Sequence, residues 1–210
     1  MFVKSIMIEK HGCHTAAADD SLEQVLQKFD QHGIDGMPVL EGDRYIGIVT
    51  KNRIYETFFN DGGDKDTYTR TTKAKDILTH QDDVLHGEEI FEKLLLKLKD
   101  FPLLAVVDRK GDFLGIVTRF DVLEQFQSAF GMQKKGIRIA FTSVETEGRL
   151  ARLSEIAHQY HEHIISFVTF DETDELVRRM VMKIEPASNL DKFTKKMEAA
   201  GFRILSITED

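Results

Sequence analysis

The chain has 210 residues, of which 41% are hydrophobic and 30% charged, and its acidic residues outnumber its basic ones for a net charge of −8. This length allows one large domain or two to three small ones, and the composition is that of a soluble globular protein. The negative charge argues against nonspecific binding to nucleic acid or to an anionic membrane.

Sequence signals for export and membrane insertion are weak. No window approaches the roughly 18 apolar residues of a membrane span, and residues 1–10 lack the apolar core and small-residue cleavage site of a signal peptide. The one cysteine, Cys13, excludes an intramolecular disulfide framework and fits a reducing compartment. We therefore expect a cytoplasmic protein.

The hydrophobic pattern of residues 1–130 predicts two similar successions of a helix, a hairpin and a helix. In the first, a helix over Ser21–Phe29 ends at Gly33, strands follow at Met37–Leu40 and Tyr45–Val49, and Thr50 caps a helix that runs through Ile54 and Phe58. In the second, the helix covers Glu88–Leu98, the strands are Leu103–Val107 and Phe113–Val117, and Thr118 caps a helix through Phe126. The polar, glycine-containing segment Asn60–Thr67 between them is expected to be a loop.

The last 75 or so residues follow a different pattern, counted from a boundary near Gly136. It predicts strands over Ile137–Val144, Ile164–Phe170, Val177–Ile184 and Phe202–Ile207, a connecting segment Asp171–Glu175, and helices built on Leu150–Tyr160 and Leu190–Ala200. This β-α-β-β-α-β order is that of a ferredoxin-like module. We expect three domains, at residues 1–60 (the first repeat), 73–130 (the second repeat) and 136–210.

Three short blocks occur twice, in the same order, within the two repeats. The pairs are Val3–Met7 with Ala74–Leu78, Met37–Leu40 with Phe101–Leu104, and Gly47–Arg53 with Gly115–Asp121. Such a duplication favours a cleft between two halves related by a pseudo-twofold axis.

The doubled pattern of apolar-Pro-apolar followed by Gly-apolar-apolar-Thr-x-x-Asp resembles tandem CBS domains, the Bateman module. Residues 136–210 resemble an ACT domain, with Glu145–Leu150 where that family has Asp-x-Pro-Gly-x-Leu, although Glu145 and Glu147 replace its Asp and Pro. A CBS pair followed by an ACT domain is similar to the acetoin-utilisation proteins. The resemblance implies an α/β (α+β) fold and a homodimeric, non-catalytic sensor that controls a metabolic enzyme partner.

The second repeat carries the better candidate nucleotide site, at Gly115, Thr118, Arg119 and Asp121. A helix starting after Thr118 offers free N–H groups and a positive dipole end to a phosphate, and a carboxylate at Asp121 suits ribose hydroxyls. The family resemblance implies that Thr118 and Asp121 bind an adenosine-containing ligand. Thr118 and Asp121 also form a capping-box variant that needs no ligand, and both interpretations stay open.

The first repeat departs from this pattern because Arg53 replaces the aspartate. Thr50, Lys51 and Arg53 could hold phosphates of a nucleotide bound in the opposite half, or the two cations could be solvated surface charges. The resemblance further suggests that Thr15, and Thr79 as its match, line an adenine pocket. We expect one good site per chain, with the other degenerate, and the residues do not distinguish AMP, ADP, ATP or an adenosyl sulphonium compound.

In the ACT-like region, Glu145, Gly148, Arg149 and Leu150 stand where that family binds amino acids at a strand-to-helix turn. The alternative is that Gly148 only makes the turn and that the module serves dimerisation.

Metal and catalytic sites are the remaining candidates. The groups His11, Cys13, His14 and His158, His161, His163 contain ligand residue types, but neither matches a zinc-binding pattern. Cys13 has no acid, orienting group or oxyanion hole marked by the sequence. We therefore expect no metal, no cofactor and no enzyme activity. The competing function is a purely structural dimerisation or docking protein.

Overall fold

The two repeats and the C-terminal region form an α/β structure that the computed structural model describes for residues 2–170 and 177–209. The chain divides into two compact units, Met1–Leu123 and Glu124–Asp210. Among these described residues, none of the helices is long and apolar enough to cross a membrane.

The first repeat begins with short elements and continues as a helix, a hairpin and two helices. These are a 3₁₀ turn at Val3–Ser5, β1 (Ile8–Glu9), a 3₁₀ turn at Lys10–Gly12, β2 (Ala16–Ala17), α1 (Leu22–His32), β3 (Gly36–Glu41), β4 (Arg44–Thr50), α2 (Lys51–Asp61) and α3 (Lys65–Thr71). Ser21 and Gln24 form a capping box at the start of α1, and Gly33 ends it in the left-handed conformation. The predicted helix, hairpin and Thr50-capped helix are confirmed.

The second repeat repeats this order with a shorter first helix. Its elements are a 3₁₀ turn at Ala74–Ile77, β5 (Val84–Leu85), a 3₁₀ turn at Phe91–Lys93, α4 (Leu94–Lys97), β6 (Leu103–Val107), β7 (Phe113–Thr118) and α5 (Arg119–Ala129). The predicted hairpin and last helix are confirmed.

The helix predicted over Glu88–Leu98 is wrong in its first half. The carbonyl oxygens of Gly87 and Glu89 accept hydrogen bonds from the backbone N–H groups of Lys4 and Val3, at 3.1 and 2.9 Å. This pairing keeps the segment out of a helix, and the first helical turn begins at Phe91.

The loop predicted over Asn60–Thr67 is shorter than expected. The Asp64 side chain accepts a hydrogen bond from the Thr67 N–H at 2.8 Å, which caps α3. The hydroxyl of Tyr68 on α3 then donates to Thr57 Oγ1 of α2 at 2.6 Å. The polar composition of the segment concealed this capping signal.

The two repeats exchange their N-terminal segments. In the second repeat β1 joins the sheet β1-β7-β6-β5, where Ile8 lies opposite Ile116. In the sheet β2-β3-β4, Ile48 is bridged by Thr79, with two backbone hydrogen bonds of 2.8 and 3.0 Å. Ile8 and Thr79 are therefore counterparts, and each crosses into the other repeat.

The hairpin registers define further counterparts and correct one block of the sequence repeat. Gly36 pairs with Thr50 and Leu103 pairs with Thr118, so Gly36 and Leu103 are equivalent. Pro38 pairs with Ile48 in the same way that Ala105 pairs with Ile116. The matching of Pro38 with Pro102 in the sequence was therefore wrong, because Pro102 precedes its strand whereas Pro38 lies inside it.

The core of the first repeat contains residues of both repeats, as the exchange requires. Its buried members are Ala16, Leu22, Val25, Phe29, Met37, Val39, Val49, Ile54, Ala74 and Ile77. A second cluster joins the two hairpins through Leu40, Tyr45, Ile48, Leu103, Ala105, Val107, Phe113 and Ile116. Burial of these side chains, at about 1.5–3 kcal/mol each, makes the two repeats one folding unit.

The C-terminal unit has the predicted ferredoxin-like topology. Its elements are β8 (Ile137–Val144), α6 (Arg149–Gln159), β9 (Ile164–Phe170), β10 (Val177–Ile184), α7 (Leu190–Ala199) and β11 (Arg203–Glu209), with antiparallel pairing in the order β11-β8-β10-β9. Ile137, Ile139, Phe141 and Ser143, which alternate along β8, are buried. The predicted connection Asp171–Glu175 lies outside the described residues.

Candidate functional site

A cavity of about 540 Å³, which we call the Thr118 cavity, lies within the unit Met1–Leu123. Its lining residues come from the exchanged N-terminal segment, from the residues before β3 and β6, and from β7 and α5. They are Ile8, Gly12, Cys13, His14, Ile34, Asp35, Gly36, Pro102, Leu103, Ile116, Thr118, Arg119, Phe120 and Leu123. Both repeats therefore contribute to one concave, largely apolar site of the size typical for a small ligand.

Thr118 and Asp121 form a capping box at the start of α5. The Asp121 carboxylate oxygen Oδ2 accepts hydrogen bonds from the Thr118 N–H at 2.7 Å and from its hydroxyl at 2.6 Å. Thr118 Oγ1 in turn accepts from the Asp121 N–H at 3.2 Å. Asp121 is not among the residues that line the cavity, so its clearest effect in this structure is to orient Thr118, which does.

The N-terminus of α5 offers fewer free donors than its position in the sequence suggested. The Arg119 N–H donates to the Pro102 carbonyl oxygen at 2.9 Å, and the Asp121 N–H is used by Thr118. Of the first three N–H groups of the helix, only that of Phe120 has no partner within residues 2–170 and 177–209. A phosphate at this helix end would therefore receive one backbone hydrogen bond together with the helix dipole.

Gly115 has a structural reason to be glycine that the sequence did not reveal. A Cβ atom at this position would overlap the carbonyl oxygen of Ile8, since β1 crosses directly over it. Its counterpart Gly47 faces the crossing segment of the other repeat, where a Cβ would lie 3.1 Å from the Thr79 carbonyl oxygen. In both repeats the space beside the glycine is filled by the backbone of the exchanged segment.

Arg119 is the one Lys or Arg side chain among the described residues that line the Thr118 cavity. Its Nε donates to the Leu98 carbonyl oxygen at 2.9 Å, which fixes the plane of the guanidinium group. Asp35 lines the same cavity and carries the opposite charge. The site therefore combines one cation and one anion with apolar walls.

Cys13 lines the cavity as a neutral thiol. Its Sγ donates to the carbonyl oxygens of Ile8 and Glu9, both at 3.3 Å, and burial raises the pKa of the Cys13 thiol to about 11. The thiolate that nucleophilic or metal-binding chemistry requires is thereby disfavoured. The neighbouring His14 stacks on His32, with ring centroids 3.6 Å apart.

Thr50, Lys51 and Arg53 of the first repeat do not line the Thr118 cavity, although Lys51 lies close to Asp35, which does. Lys51 Nζ lies 2.8 Å from Asp30 and 3.7 Å from Asp35, and the carboxylates raise the pKa of Lys51. Arg53 pairs with Glu56 at 3.0 Å. The Thr50 hydroxyl oxygen accepts the Arg53 N–H at 3.1 Å and caps α2.

Thr15 and Thr79 are not equivalent positions. The Thr79 hydroxyl donates to the Ile48 carbonyl oxygen at 3.2 Å within the exchanged segment, which makes Thr79 the counterpart of Ile8. The Thr15 carbonyl oxygen accepts a hydrogen bond from Lys28 at 3.0 Å, and Thr15 does not line the Thr118 cavity.

The four ACT-like candidate residues surround little free space. Glu145, Arg149 and Leu150 line a cavity of about 30 Å³, which is roughly the volume of one water molecule. Arg149 donates to Ser143 Oγ at 2.6 Å and to the carbonyl oxygens of Ala200 and Gly201 at 2.8 and 3.1 Å, and it lies over the Phe202 ring. Glu145 pairs with Arg178 at 2.5 Å, and Gly148 adopts a left-handed conformation at the start of α6.

No group of three or more His, Cys, Asp or Glu side chains within residues 2–170 and 177–209 is arranged to hold a metal ion. Asp35, Phe120 and Leu123, by contrast, belong to the Thr118 cavity but were not singled out in the sequence. Phe120 lies within the repeated block Gly115–Asp121 and Asp35 lies two residues before the block Met37–Leu40, but only the folded structure brings them to one cavity.

Comparison with known proteins identifies the duplicated unit. The chain matches the CBS domain family twice, over residues 3–59 and 74–128. It belongs to the CBS-domain family. The inosine-5'-monophosphate dehydrogenase of Korarchaeum cryptofilum is 29% identical over 167 residues, which are 72% of this chain and 33% of the dehydrogenase. The chain spans about a third to a half of the length of the curated relatives it matches.

Solved structures share the fold of the CBS pair. A CBS domain-containing protein from Bacillus anthracis is 26% identical, with a TM-score of 0.55, and the match covers 60% of this chain and 93% of that one. CBSX2 in complex with AMP is 23% identical, with a TM-score of 0.52 over 60% and 95% of the two chains. The Listeria monocytogenes CbpB protein in complex with c-di-AMP is 24% identical, with a TM-score of 0.53 over 60% and 94%.

Proposed function

We propose that this CBS-domain protein is a regulatory sensor that binds an adenine nucleotide in the Thr118 cavity. The observation that carries the proposal is the cavity itself, which is lined by residues of both repeats and by the start of α5. A ligand bound there touches two halves of one unit at once. If the ligand binds one relative arrangement of the two repeats more tightly than another, it shifts the population towards that arrangement.

The lining residues suggest how a nucleotide would be held. The apolar side chains of Ile8, Ile34 and Ile116 offer a surface for a planar base, and Arg119 with the Phe120 N–H offers donors to a phosphate. Asp121 keeps Thr118 in place through Oδ2. Asp121 does not line the cavity, so we propose that the start of α5 adjusts on binding and that Oδ1 of the same carboxylate then accepts a ribose hydroxyl. A carboxylate has about four lone-pair sites, so both tasks are compatible.

The ligands named for two proteins of the same fold support this choice. CBSX2 was solved with AMP and the Listeria CbpB with c-di-AMP. Because their identity to this chain is below one quarter, they bear on what the fold can accommodate rather than on the specificity of this chain. The resemblance to acetoin-utilisation proteins adds a proposed partner, a metabolic enzyme, and a homodimeric assembly.

Isothermal titration of AMP, ATP, c-di-AMP and S-adenosylmethionine tests the proposal, with Arg119→Ala as the site variant. Lys51→Ala is the matched comparison, because Lys51 follows Thr50 as Arg119 follows Thr118 but lies outside the cavity. We expect saturable binding that Arg119→Ala weakens at least tenfold and Lys51→Ala less than threefold, equivalent to at least 1.4 kcal/mol against about 0.6 kcal/mol or less. Equal losses in both variants would refute the assignment of the phosphate contact to Arg119, and a loss confined to Lys51→Ala would move it to the first repeat.

The second candidate function is a structural dimerisation or docking protein, and two residues of the motif favour it. Asp121 is used in a capping box, and Gly115 makes room for β1, so neither needs a ligand. A chain that sediments as a dimer and releases no heat with any of the four adenosine compounds would establish this alternative.

For the C-terminal unit we propose a structural role rather than an amino-acid effector site. The hydrogen bonds of Arg149 join the start of α6 to the end of α7, and the adjacent cavity has the volume of one water. Titration of the common amino acids into the protein tests this, since saturable binding would place an effector here after all.

A further inference from the structure

The imidazole of His80 stacks on the ring of Phe101, with centroids 3.6 Å apart and an angle of 22° between the planes. Phe101 lies two residues before Leu103, as Ile34 lies two residues before Gly36, and Gly36 and Leu103 are counterparts. Ile34 is a wall of the Thr118 cavity. Phe101, although it belongs to the second repeat, is therefore the counterpart of Ile34 and the wall of the matching position beside the first repeat. The His80 ring covers it.

The conformation of His80 is unfavourable in two independent respects. Its φ angle is 53°, in the left-handed region that residues other than glycine rarely adopt. Its Nδ1 atom is buried and has no hydrogen-bond partner in the part of the chain that the structure describes. Backbone strain and unpaired buried polar atoms are concentrated at functional sites, where the surroundings hold them in place.

Two contacts hold His80 over Phe101. The Tyr45 hydroxyl donates to the His80 carbonyl oxygen at 2.6 Å, and Thr79, the preceding residue, is paired with Ile48. In the second repeat, Phe113 is the counterpart of Tyr45, because each faces the strand residue that follows the bulge. Phe113 has no hydroxyl, so the corresponding segment of β1 has no such anchor.

We propose that the His80 ring closes the position in this chain that corresponds to the Thr118 cavity, because it occupies the place where the planar base of a ligand would stack on Phe101. A purine base would stack on Phe101 once His80 moves away, as aromatic rings stack with nucleobases generally. Lys51 and Arg53 are paired with carboxylates, so the site suits a nucleoside or its monophosphate rather than a polyphosphate. The choice of adenine as the base rests on the proposed function, whereas the closure by His80 does not.

The number of ligands bound per chain tests the proposal. Adenosine and AMP are titrated into the wild type and His80→Gly, which removes the ring and suits a φ of 53°. The matched control is Glu9→Gly, because Glu9 follows Ile8 as His80 follows Thr79. We expect one site per chain in the wild type and in Glu9→Gly, and two in His80→Gly. Tyr45→Phe keeps the His80 imidazole but removes the hydroxyl that holds the His80 carbonyl oxygen. This variant should also show a second site, with lower affinity than the second site of His80→Gly.

The outcomes separate this proposal from the proposed function. If His80→Gly and Tyr45→Phe fold normally and still bind one ligand, or if the wild type already binds two, the closure by His80 is refuted while the nucleotide sensor stands. If the wild type binds none and His80→Gly binds one, the proposed function fails and the site at Phe101 is supported. No binding by any of the four proteins refutes both.

Discussion

Replacement of Asp121 by alanine separates the structural from the ligand-binding role of the repeated motif. The substitution removes two hydrogen bonds, from the Thr118 N–H at 2.7 Å and from its hydroxyl at 2.6 Å, but leaves Thr118 Oγ1 able to cap the N–H of residue 121. Because the site is only half-buried, water can replace part of what is lost. We therefore expect the free energy of unfolding to fall by about 1–2 kcal/mol, the range for loss of a helix cap.

The measurement is urea unfolding followed by far-ultraviolet circular dichroism, because the chain has no tryptophan for fluorescence. Arg53→Ala is the control, since Arg53 occupies the same position of the first motif but its side chain donates to Glu56 and makes no hydrogen bond to Thr50. It should change the unfolding free energy by less than about 0.5 kcal/mol, as for most surface substitutions. If Asp121→Ala is as stable as Arg53→Ala, the capping box contributes little and our reasoning from the hydrogen bonds is wrong. Titration of AMP into the same two variants then shows whether Asp121 also serves the ligand.

Three further substitutions test other parts of the structure. Gly115→Ala places a Cβ on the Ile8 carbonyl oxygen and should destabilise the protein by about 1–3 kcal/mol; an unchanged thermal midpoint would contradict the crossing of β1 over this residue. Asp35→Asn removes the one carboxylate among the described residues that line the cavity, and should improve binding of ATP relative to AMP about twofold, a preference that comparative titration measures. Arg149→Ala breaks the hydrogen bonds between α6 and the end of α7 and should lower the unfolding free energy by about 2–3 kcal/mol; a loss confined to amino-acid binding would instead indicate an effector site.

Local patterns predicted most of the elements because the interactions that define them are themselves local. The capping residues Ser21, Thr50 and Thr118 bond to groups three positions along the chain. Gly33 after α1 and Gly42 between β3 and β4 adopt positive φ angles where no atom beyond the neighbouring residues lies within 4 Å of a Cβ position. The prediction failed where a distant segment intervened, as at Glu89, whose carbonyl oxygen pairs with Val3 and keeps the chain out of a helix.

Sequence alone determined that the chain contains a duplicated unit followed by a β-α-β-β-α-β module, because repetition and periodicity are properties of the order of residues. Only the tertiary structure showed that the repeats exchange their first segments, and the roles of three residues depend on that exchange. It makes Gly115 a packing position for Ile8, makes Thr79 the counterpart of Ile8 rather than of Thr15, and carries His80 onto Phe101. The physical reason is that these contacts join residues far apart in the chain, and no local pattern of polarity or spacing encodes which backbone will cross which strand.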